Sequence, residues 1–254
     1  MFYVFDNVLY KAVFVKRLNR FTAQVKLNDN PDCLVLCHVP NSGRMRELLT
    51  AGAEIMLKPA FSEARKTSFD LYLVKYNGNW VSIDSRLPNK LIEKAVSEGY
   101  IPALEGALLN RREPKYRSGR FDLEYIMRDH SKVLVECKSV TLVEEGVALF
   151  PDAPTSRGKR HLDELIEAMN EGYLASVILL VQRDDARIFS PNWAMDQAFS
   201  NSLVRFNDKG GQVLSNYINI YPEGITWGGE LPVKLDGFDG LGLKDSICQG
   251  GDRE

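Results

Sequence analysis

The amino-acid sequence predicts two folded domains, a small β-barrel followed by an α/β domain. Short β-like runs joined by turn signals fill the first third of the chain, and helical and strand-like patterns alternate after Pro88. The chain has 254 residues, of which 44% are hydrophobic, so it can build one large core or two small ones. We place the barrel at residues 1–84, the α/β domain at 85–236 and a flexible, Gly-rich tail at 237–254.

The barrel prediction rests on strand-like runs interrupted by one short helix, predicted at residues 44–50. Turn signals at residues 28–31 and 77–79 separate neighbouring runs. About five strands and one helix in roughly eighty residues are typical of the oligonucleotide/oligosaccharide-binding (OB) barrel, although a generic small β-barrel fits the same pattern. The runs cover residues 10–16, 21–26, 33–37, 54–57, 68–76 and 80–83.

The second region alternates helices with strands, which is the pattern of an α/β domain. The helix predicted at 157–171 is amphipathic, with Thr155 or Ser156 as its N-cap and Gly172 at its end. The other helices are predicted at residues 91–98 and 196–206, and the strands at 120–127, 132–140, 174–181 and 212–220.

Charge and cysteine content restrict the class of protein. Residues 1–17 contain no long apolar stretch, so we expect neither a signal peptide nor a membrane span, and a cytoplasmic location follows. Four scattered cysteines are too few for a disulfide framework, which also favours a reducing compartment.

The net charge of −2 does not indicate nucleic-acid binding, but Lys and Arg concentrate in three clusters, at residues 16–20, 111–120 and 157–160. A single cluster could simply solvate a turn, whereas three clusters favour a polyanionic ligand.

The strand predicted at residues 132–140 carries two opposite charges, Glu136 and Lys138, in an otherwise apolar run. Successive side chains of a strand point to opposite faces, so these two share a face. Asp122, in the preceding strand, could lie beside Glu136 across the sheet. Two neighbouring carboxylates repel each other unless a divalent cation bridges them, and Mg²⁺ or Mn²⁺ suits carboxylate oxygens. An Asp, a spacer and then Glu-x-Lys is the arrangement of the PD-(D/E)xK nuclease superfamily.

Two observations bear on whether this Glu-x-Lys pattern marks a metal site. Glu136 and Lys138 could instead form a satisfied structural ion pair at the end of a strand. A second Glu-x-Lys, formed by Glu113 and Lys115, shows that the pattern also arises by chance. Pro114 and polar neighbours argue against a central strand at that second copy, so the copy at Glu136 is the better candidate.

Four stretches closely resemble the sugar fermentation stimulation protein family, SfsA: residues 37–45 (CHVPNSGRM), 120–122 (RFD), 136–142 (ECKSVTL) and 150–165 (FPDAPTSRGKRHLDEL). The resemblance extends over nearly the whole chain. It implies an N-terminal OB-fold joined to a PD-(D/E)xK-type domain, DNA binding and a link to the regulation of sugar utilisation. It also makes Asp122, Glu136 and Lys138 the nuclease-like triad, which agrees with the interpretation from the residues.

Further residues complete the predicted catalytic and metal sites. Gln182, at the end of an apolar strand, is a fourth catalytic candidate because some related nucleases carry a glutamine there. Glu93, or with less support Glu113, is a candidate third ligand for Mg²⁺ or Mn²⁺ beside Asp122 and Glu136.

The candidate nucleic-acid contacts are basic or amide side chains near predicted loops and one helix start. The helix that begins near Thr155 offers a positive N-terminus for phosphate. His161 could equally be a helix-surface residue, and residues 41–44 could merely begin the helix at 44–50. The predicted contacts are Arg17, Asn41, Arg44, Arg120, Arg157, Lys159 and His161.

We therefore expect a DNA-binding protein with a divalent-metal-dependent, nuclease-like phosphodiesterase site. Binding is expected to be independent of DNA sequence, RNA is an alternative ligand, no membrane partner is expected, and a homodimer is one candidate assembly. Two other classes remain: a non-catalytic DNA-binding regulator of sugar-metabolism genes on a nuclease-derived fold, and an interaction protein whose charged strand is structural. Intact Asp122, Glu136 and Lys138 favour a nuclease over the last of these.

Overall fold

The computed structural model describes residues 2–5, 8–41, 43–60, 65–117 and 119–236. The predicted tail at 237–254 lies outside these ranges. A short strand, β1 (Tyr3–Val4), precedes a β-barrel, and an α/β domain follows the barrel. No helix in the described part of the chain is both long enough and apolar enough to cross a bilayer.

The barrel is closed, as the OB-type prediction requires. Its strands pair in the order β4-β3-β2-β5-β6-β7, and a parallel bridge between His38 and Asp70 joins β4 to β6, so five strands form a ring. Alternate residues such as Phe14, Val25 and Leu57 point inwards and are buried. The strands are β2 (Tyr10–Asn19), β3 (Thr22–Leu27), β4 (Asn30–His38), β5 (Glu54–Pro59), β6 (Phe69–Tyr76) and β7 (Asn79–Ser82).

The helix predicted at residues 44–50 is wrong, because this segment forms only turns. Met45 has a φ of 45°, which a right-handed helix does not allow. The N–H groups of Leu48 and Leu49 both bond to the carbonyl of Met45 and close a single turn. Met45 and Leu48 are buried in the barrel core, so their packing overrides the local helix propensity.

The α/β domain has a seven-stranded sheet in the order β1-β18-β17-β15-β12-β11-β8. The three central strands are parallel, and β11 and β18 run antiparallel to their neighbours. A helix and the barrel cover one face of the sheet, and two helices cover the other. The elements are α1 (Leu87–Ser97), a 3₁₀ helix (Pro102–Leu104), β8 (Leu108–Arg112), β9 (Lys115–Tyr116), β10 (Gly119–Arg120), β11 (Leu123–Ile126), β12 (Lys132–Val140), β13 (Leu142–Glu144), β14 (Val147–Phe150), α2 (Ser156–Asn170), β15 (Leu174–Val181), β16 (Ile188–Pro191), α3 (Gln197–Asp208), β17 (Gln212–Tyr221) and β18 (Gly224–Glu230).

The start of the chain differs from the predicted barrel domain at residues 1–84. β1 does not join the barrel but pairs with β18, with Tyr3 opposite Ile225, at the edge of the α/β sheet. The Phe2 ring packs against Trp227 and Tyr100, with centroids 5.4 and 5.3 Å away. The barrel is therefore inserted between the first strand of the sheet and the rest of the second domain.

The barrel and the α/β domain share a core and a bonded loop. Tyr72 and Leu73 of β6 belong to the same apolar cluster as the buried side of α1. The Asn41 amide donates to the carbonyl of Ile83 at 2.8 Å, and the Arg44 N–H donates to Asp152 Oδ2 at 3.0 Å. These bonds tie the described residues of the loop at 40–41 and 43–44 (the barrel loop) to the linker between the domains and to the segment that follows β14.

Candidate active site

A cavity of about 910 Å³ lies where the barrel loop, the start of α1 and the ends of β11 and β12 meet. The predicted nuclease-like triad, Asp122, Glu136 and Lys138, lines it. Other predicted site residues in its wall are Asn41, Glu93, Glu113 and Arg157. The chain thus brings the acids and the lysine of the Glu-x-Lys pattern to one opening.

Glu136 and Lys138 lie on the same face of β12, as strand alternation requires. Glu136 is 3% exposed, and its Oε1 accepts hydrogen bonds from Lys138 Nζ at 2.5 Å and His161 Nδ1 at 2.6 Å. Its other oxygen, Oε2, is buried and has no hydrogen-bond partner among the described residues. A buried carboxylate oxygen without a partner is costly, so a water molecule or a cation bound to this atom would stabilise the arrangement.

Asp122 immediately precedes β11 and reaches the same cavity. Its Oδ2 accepts from the Cys137 N–H and its Oδ1 from the Asn89 side-chain amide, both at 2.8 Å. Asn89, on α1, has no distinguishing pattern in the sequence, because its role comes only from the packing of α1 beside the sheet. The two donors hold the Asp122 carboxylate in place, close enough to Glu136 for the charge of Glu136 to act on it.

The two carboxylates are perturbed in opposite directions. Burial, and then the charge of Glu136, raises the pKa of Asp122 above its ordinary value of 3.8. Burial alone would also raise the pKa of Glu136, but Lys138 and His161 outweigh it, and this pKa lies below its ordinary value of 4.5. Opposite shifts in one pair of acids are typical of functional sites.

The donor set suits a hard divalent cation held partly by water. No group of three or more His, Cys, Asp or Glu side chains in the described ranges could hold a metal ion. Mg²⁺, however, commonly uses only one or two carboxylates and completes its shell with water and substrate phosphate. Asp122 and Glu136, with the partnerless Oε2, could supply those two carboxylates.

The predicted third acids reach the cavity but are paired with arginines. Arg112 binds both oxygens of Glu93, each at 2.6 Å. Glu113 pairs with Arg120 at 3.0 Å. Each of these carboxylates is thus paired with an arginine. Among the described residues, neither carboxylate shares a hydrogen-bond partner with the carboxylate of Asp122.

Gln182, a predicted catalytic residue, lies behind the cavity wall and contacts Ser139, which lines the cavity. Its N–H continues the ladder to the carbonyl of Val140, and its side-chain amide donates to Ser139 Oγ at 2.5 Å. Ser139 points to the face opposite Lys138, because the two are neighbours in one strand. Gln182 therefore lies on the barrel side of the sheet, where its Nε2 is also 3.5 Å from the carbonyl of Asp84.

Two predicted nucleic-acid contacts, Arg17 and Asn41, instead hold the barrel loop. The Arg17 guanidinium donates to the carbonyls of Gly43, Arg44, Arg20 and Asn41 at 2.8, 2.9, 2.6 and 3.0 Å. Asn41 uses its amide on Ile83 and accepts from the Gly43 N–H at 2.7 Å. The prediction for these side chains rests on their charge and their position in the sequence. Neither property shows that folding places backbone carbonyls of a distant segment beside them.

Two of the remaining predicted basic contacts line cavities. Arg157 lines the same cavity as Asp122, and Arg44 lines an adjoining cavity of about 740 Å³ with Arg46. Arg120 is exposed, and Lys159 forms an ion pair with Asp163 at 2.6 Å.

His161 is buried, at 3% exposure, and both predictions for it are wrong: it is neither a phosphate contact nor a helix-surface residue. The sequence contained a signal for this. His161 lies four residues before Leu165 and beside Leu162, on the apolar stripe of the amphipathic helix, and that stripe faces the core.

Comparisons with known proteins agree over most of the chain. A family model described as the SfsA N-terminal OB domain matches residues 15–83, and one described as the sugar fermentation stimulation protein RE domain matches residues 86–224. A sugar fermentation stimulation protein homologue of Natranaerobius thermophilus is 50% identical over 92% of this chain and 97% of its own length. One of Desulforamulus reducens is 41% identical, over 89% and 93%. The structure of Pyrococcus furiosus SfsA in complex with Ca²⁺ is similar with a TM-score of 0.84 and 27% identity, covering 91% of this chain and 97% of that one.

Proposed function

Because this chain belongs to the sugar fermentation stimulation protein family, we propose that it binds nucleic acid and carries a divalent-cation-dependent phosphodiesterase site at Asp122, Glu136 and Lys138. The observation that carries the proposal is that Glu136, whose buried Oε2 has no hydrogen-bond partner among the described residues, lines the same cavity as Asp122 and Lys138.

Mg²⁺ or Mn²⁺ is the proposed cofactor, with Asp122 and Glu136 as its protein ligands. The Pyrococcus furiosus relative, at 27% identity, was solved in complex with Ca²⁺, another cation that prefers oxygen ligands. When bound, the cation would supply Lewis-acid stabilisation of the charge that develops on phosphate oxygens. The donation from Asn89 and the Cys137 N–H would keep the Asp122 carboxylate in place for it.

Lys138 is the proposed catalytic cation of the protein itself. Its side chain is 13% exposed and its ammonium is held 2.5 Å from Glu136 Oε1, so it is fixed at the cavity wall. A primary ammonium has three donors, and one is used on Glu136. The others would orient an attacking water and bond to a non-bridging phosphate oxygen as negative charge builds up there.

The basic residues around the cavity fit a phosphate backbone. Arg157 lies in the first turn of α2, whose N-terminus is capped by Thr155 through a 3.0 Å bond to the Gly158 N–H. Arg44 and Arg120 are exposed near the same opening. Side chains that approach phosphates without reading base edges give sequence-independent binding, and DNA is the proposed ligand.

The test is to incubate the purified protein with single-stranded, duplex and branched DNA, and with RNA, in Mg²⁺, Mn²⁺ or EDTA. We expect cleavage that requires the cation and falls by at least about 100-fold in Lys138→Ala. Lys115→Ala is the matched control, because Lys115 belongs to the second, exposed Glu-x-Lys and should not affect the rate.

The other outcomes identify the alternatives. DNA binding without cleavage in any cation would favour the non-catalytic regulator. Neither binding nor cleavage would exclude both nucleic-acid functions and favour the interaction protein.

A further inference from the structure

His161 is a buried histidine of α2 with a polar partner on each ring nitrogen. It lies on the buried side of α2, between Glu136 of the sheet and Arg157 one turn earlier in the helix. Its ring also packs edge-on against Phe121, with centroids 6.2 Å apart. The imidazole is therefore held on three sides and cannot turn freely.

The hydrogen bonds of His161 define which ring nitrogen carries the proton. Arg157 Nε lies 3.3 Å from His161 Nε2, and a guanidinium can only donate, so Nε2 is the acceptor. The proton of the neutral ring then resides on Nδ1, which donates to Glu136 Oε1 at 2.6 Å.

Two donors thus converge on one oxygen of Glu136. Lys138 and His161 both bond to Oε1, from the strand and from the helix, and Oε2 remains without a partner. A carboxylate with one oxygen held twice cannot rotate to exchange its oxygens without breaking both bonds. The free oxygen is therefore directed before any ligand arrives.

We propose that His161 is a positioning residue that holds Glu136 through Oε1 and so leaves Oε2 free to bind the cation, and that Arg157 selects the tautomer of His161 needed for this. The proposal rests on the cation site of the proposed function. It gives the buried histidine a role in cation affinity rather than in contact with substrate. Partners in the second coordination layer typically change metal affinity by about 10–100-fold when removed.

The experiment measures Mn²⁺ binding to the metal-free, full-length protein by titration calorimetry at one fixed pH. His161→Leu, which removes the donor, should weaken Mn²⁺ binding about tenfold or more. His161→Asn places an amide N–H near the position of Nδ1 and should restore affinity to within about threefold of the wild type. Arg157→Ala removes only the donor to His161 Nε2, so the ring can adopt either tautomer. This variant should lose less Mn²⁺ affinity than His161→Leu.

The pattern across variants separates positioning from packing. Equal affinity in the wild type and His161→Leu would overturn the proposal, and so would equal losses in the Leu and Asn variants. If His161→Leu does not fold, His161→Gln replaces it, because its amide extends towards Arg157 instead of Glu136 and should bind Mn²⁺ as weakly. A wild type that binds no Mn²⁺ would instead refute the proposed function itself.

Discussion

The two sides of the cavity use polar side chains in opposite ways. On the barrel side, Arg17 and Asn41 donate hydrogen bonds to backbone carbonyls and hold a loop in place. On the sheet side, Glu136 is more deeply buried, yet one of its oxygens is left without a partner. Arg17 holds the loop through its terminal nitrogens, although its buried Nε has no partner among the described residues. What distinguishes the sheet side is that its unpartnered atom belongs to a buried carboxylate close to a second acid, an arrangement that suits a divalent cation.

The largest effect on stability is expected on the barrel side. Arg17→Ala should lower the free energy of unfolding by about 2–4 kcal/mol, because four carbonyls lose a charged donor. The loss should be the same in EDTA and in Mn²⁺. Urea unfolding monitored by tryptophan fluorescence measures it.

Lys16→Ala is the matched control, since Lys16 is an exposed residue of the same strand. Its effect should stay within about 0.5 kcal/mol. If Arg17→Ala were as mild as Lys16→Ala, Arg17 would be available for nucleic acid after all, and the contrast between the two sides would fail.

A smaller effect of opposite sign is expected on the sheet side. Asp122→Asn removes a carboxylate that burial and Glu136 disfavour, so stability in EDTA should remain unchanged or rise by up to about 1 kcal/mol. The stabilisation of the wild type by Mn²⁺ should disappear in the variant. Melting temperatures of both proteins in EDTA and Mn²⁺ give the comparison.

A large loss of stability in Asp122→Asn that is independent of metal would contradict this expectation. Together with a wild type indifferent to Mn²⁺, it would mean that the charges of this strand only neutralise one another.

The stabilising effect of Asp122→Asn should itself depend on pH. Because the pKa of Asp122 is raised above 3.8, the folded wild type binds more protons than the unfolded chain, and its stability falls as the pH rises through that interval. Glu136 acts in the opposite direction. Because its pKa is lowered, it stabilises the folded state above pH 4.5, and this stabilisation is lost as the pH falls through the lowered pKa. Glu136 is present in both proteins, so it largely cancels in their difference.

The difference in unfolding free energy between Asp122→Asn and wild type should therefore be near zero at low pH and grow above pH 3.8 to a plateau. Urea unfolding in EDTA between about pH 3.5 and 7 tests this. A difference that is constant over this range would show that Asp122 is not perturbed.

The smallest effect concerns the exposed arginine of the barrel loop. Arg44→Ala should make the plot of log affinity for duplex DNA against log salt shallower by about 0.9, the value for one phosphate contact. Lys75→Ala is the control, because Lys75 pairs with Glu54 on another part of the barrel. Fluorescence anisotropy across a salt series measures both, and identical slopes for the two variants would place the DNA elsewhere.

The fold was predictable wherever a periodic pattern covers a whole element. Alternation gave the barrel strands, and helical spacing gave α2, because burial of one face imposes those periods. The segment at 44–50 could not be predicted, since the burial of Met45 and Leu48 in the barrel decides its conformation. β1 has two residues, too few to show any period.

The candidate site was predictable only in part, and for physical reasons. Strand alternation placed Glu136 and Lys138 on one face, and Asp122 followed from the neighbouring strand. The positions of Gln182 and Asn89 depend on register and on packing between distant segments, which no local pattern reports. The chemistry of His161 suggests a phosphate contact, but its position on the apolar stripe of α2 decides that it is buried.

The pairing of β1 with β18 determines when this protein can finish folding during its own synthesis. Tyr3 leaves the ribosome early, but its partner Ile225 follows only after the barrel and all three helices have been made. Until then β1 has no strand to pair with, and the Phe2 ring lacks one of its two aromatic partners, Trp227. Completion of the sheet is thus a late event that joins the first residues described to the last strand.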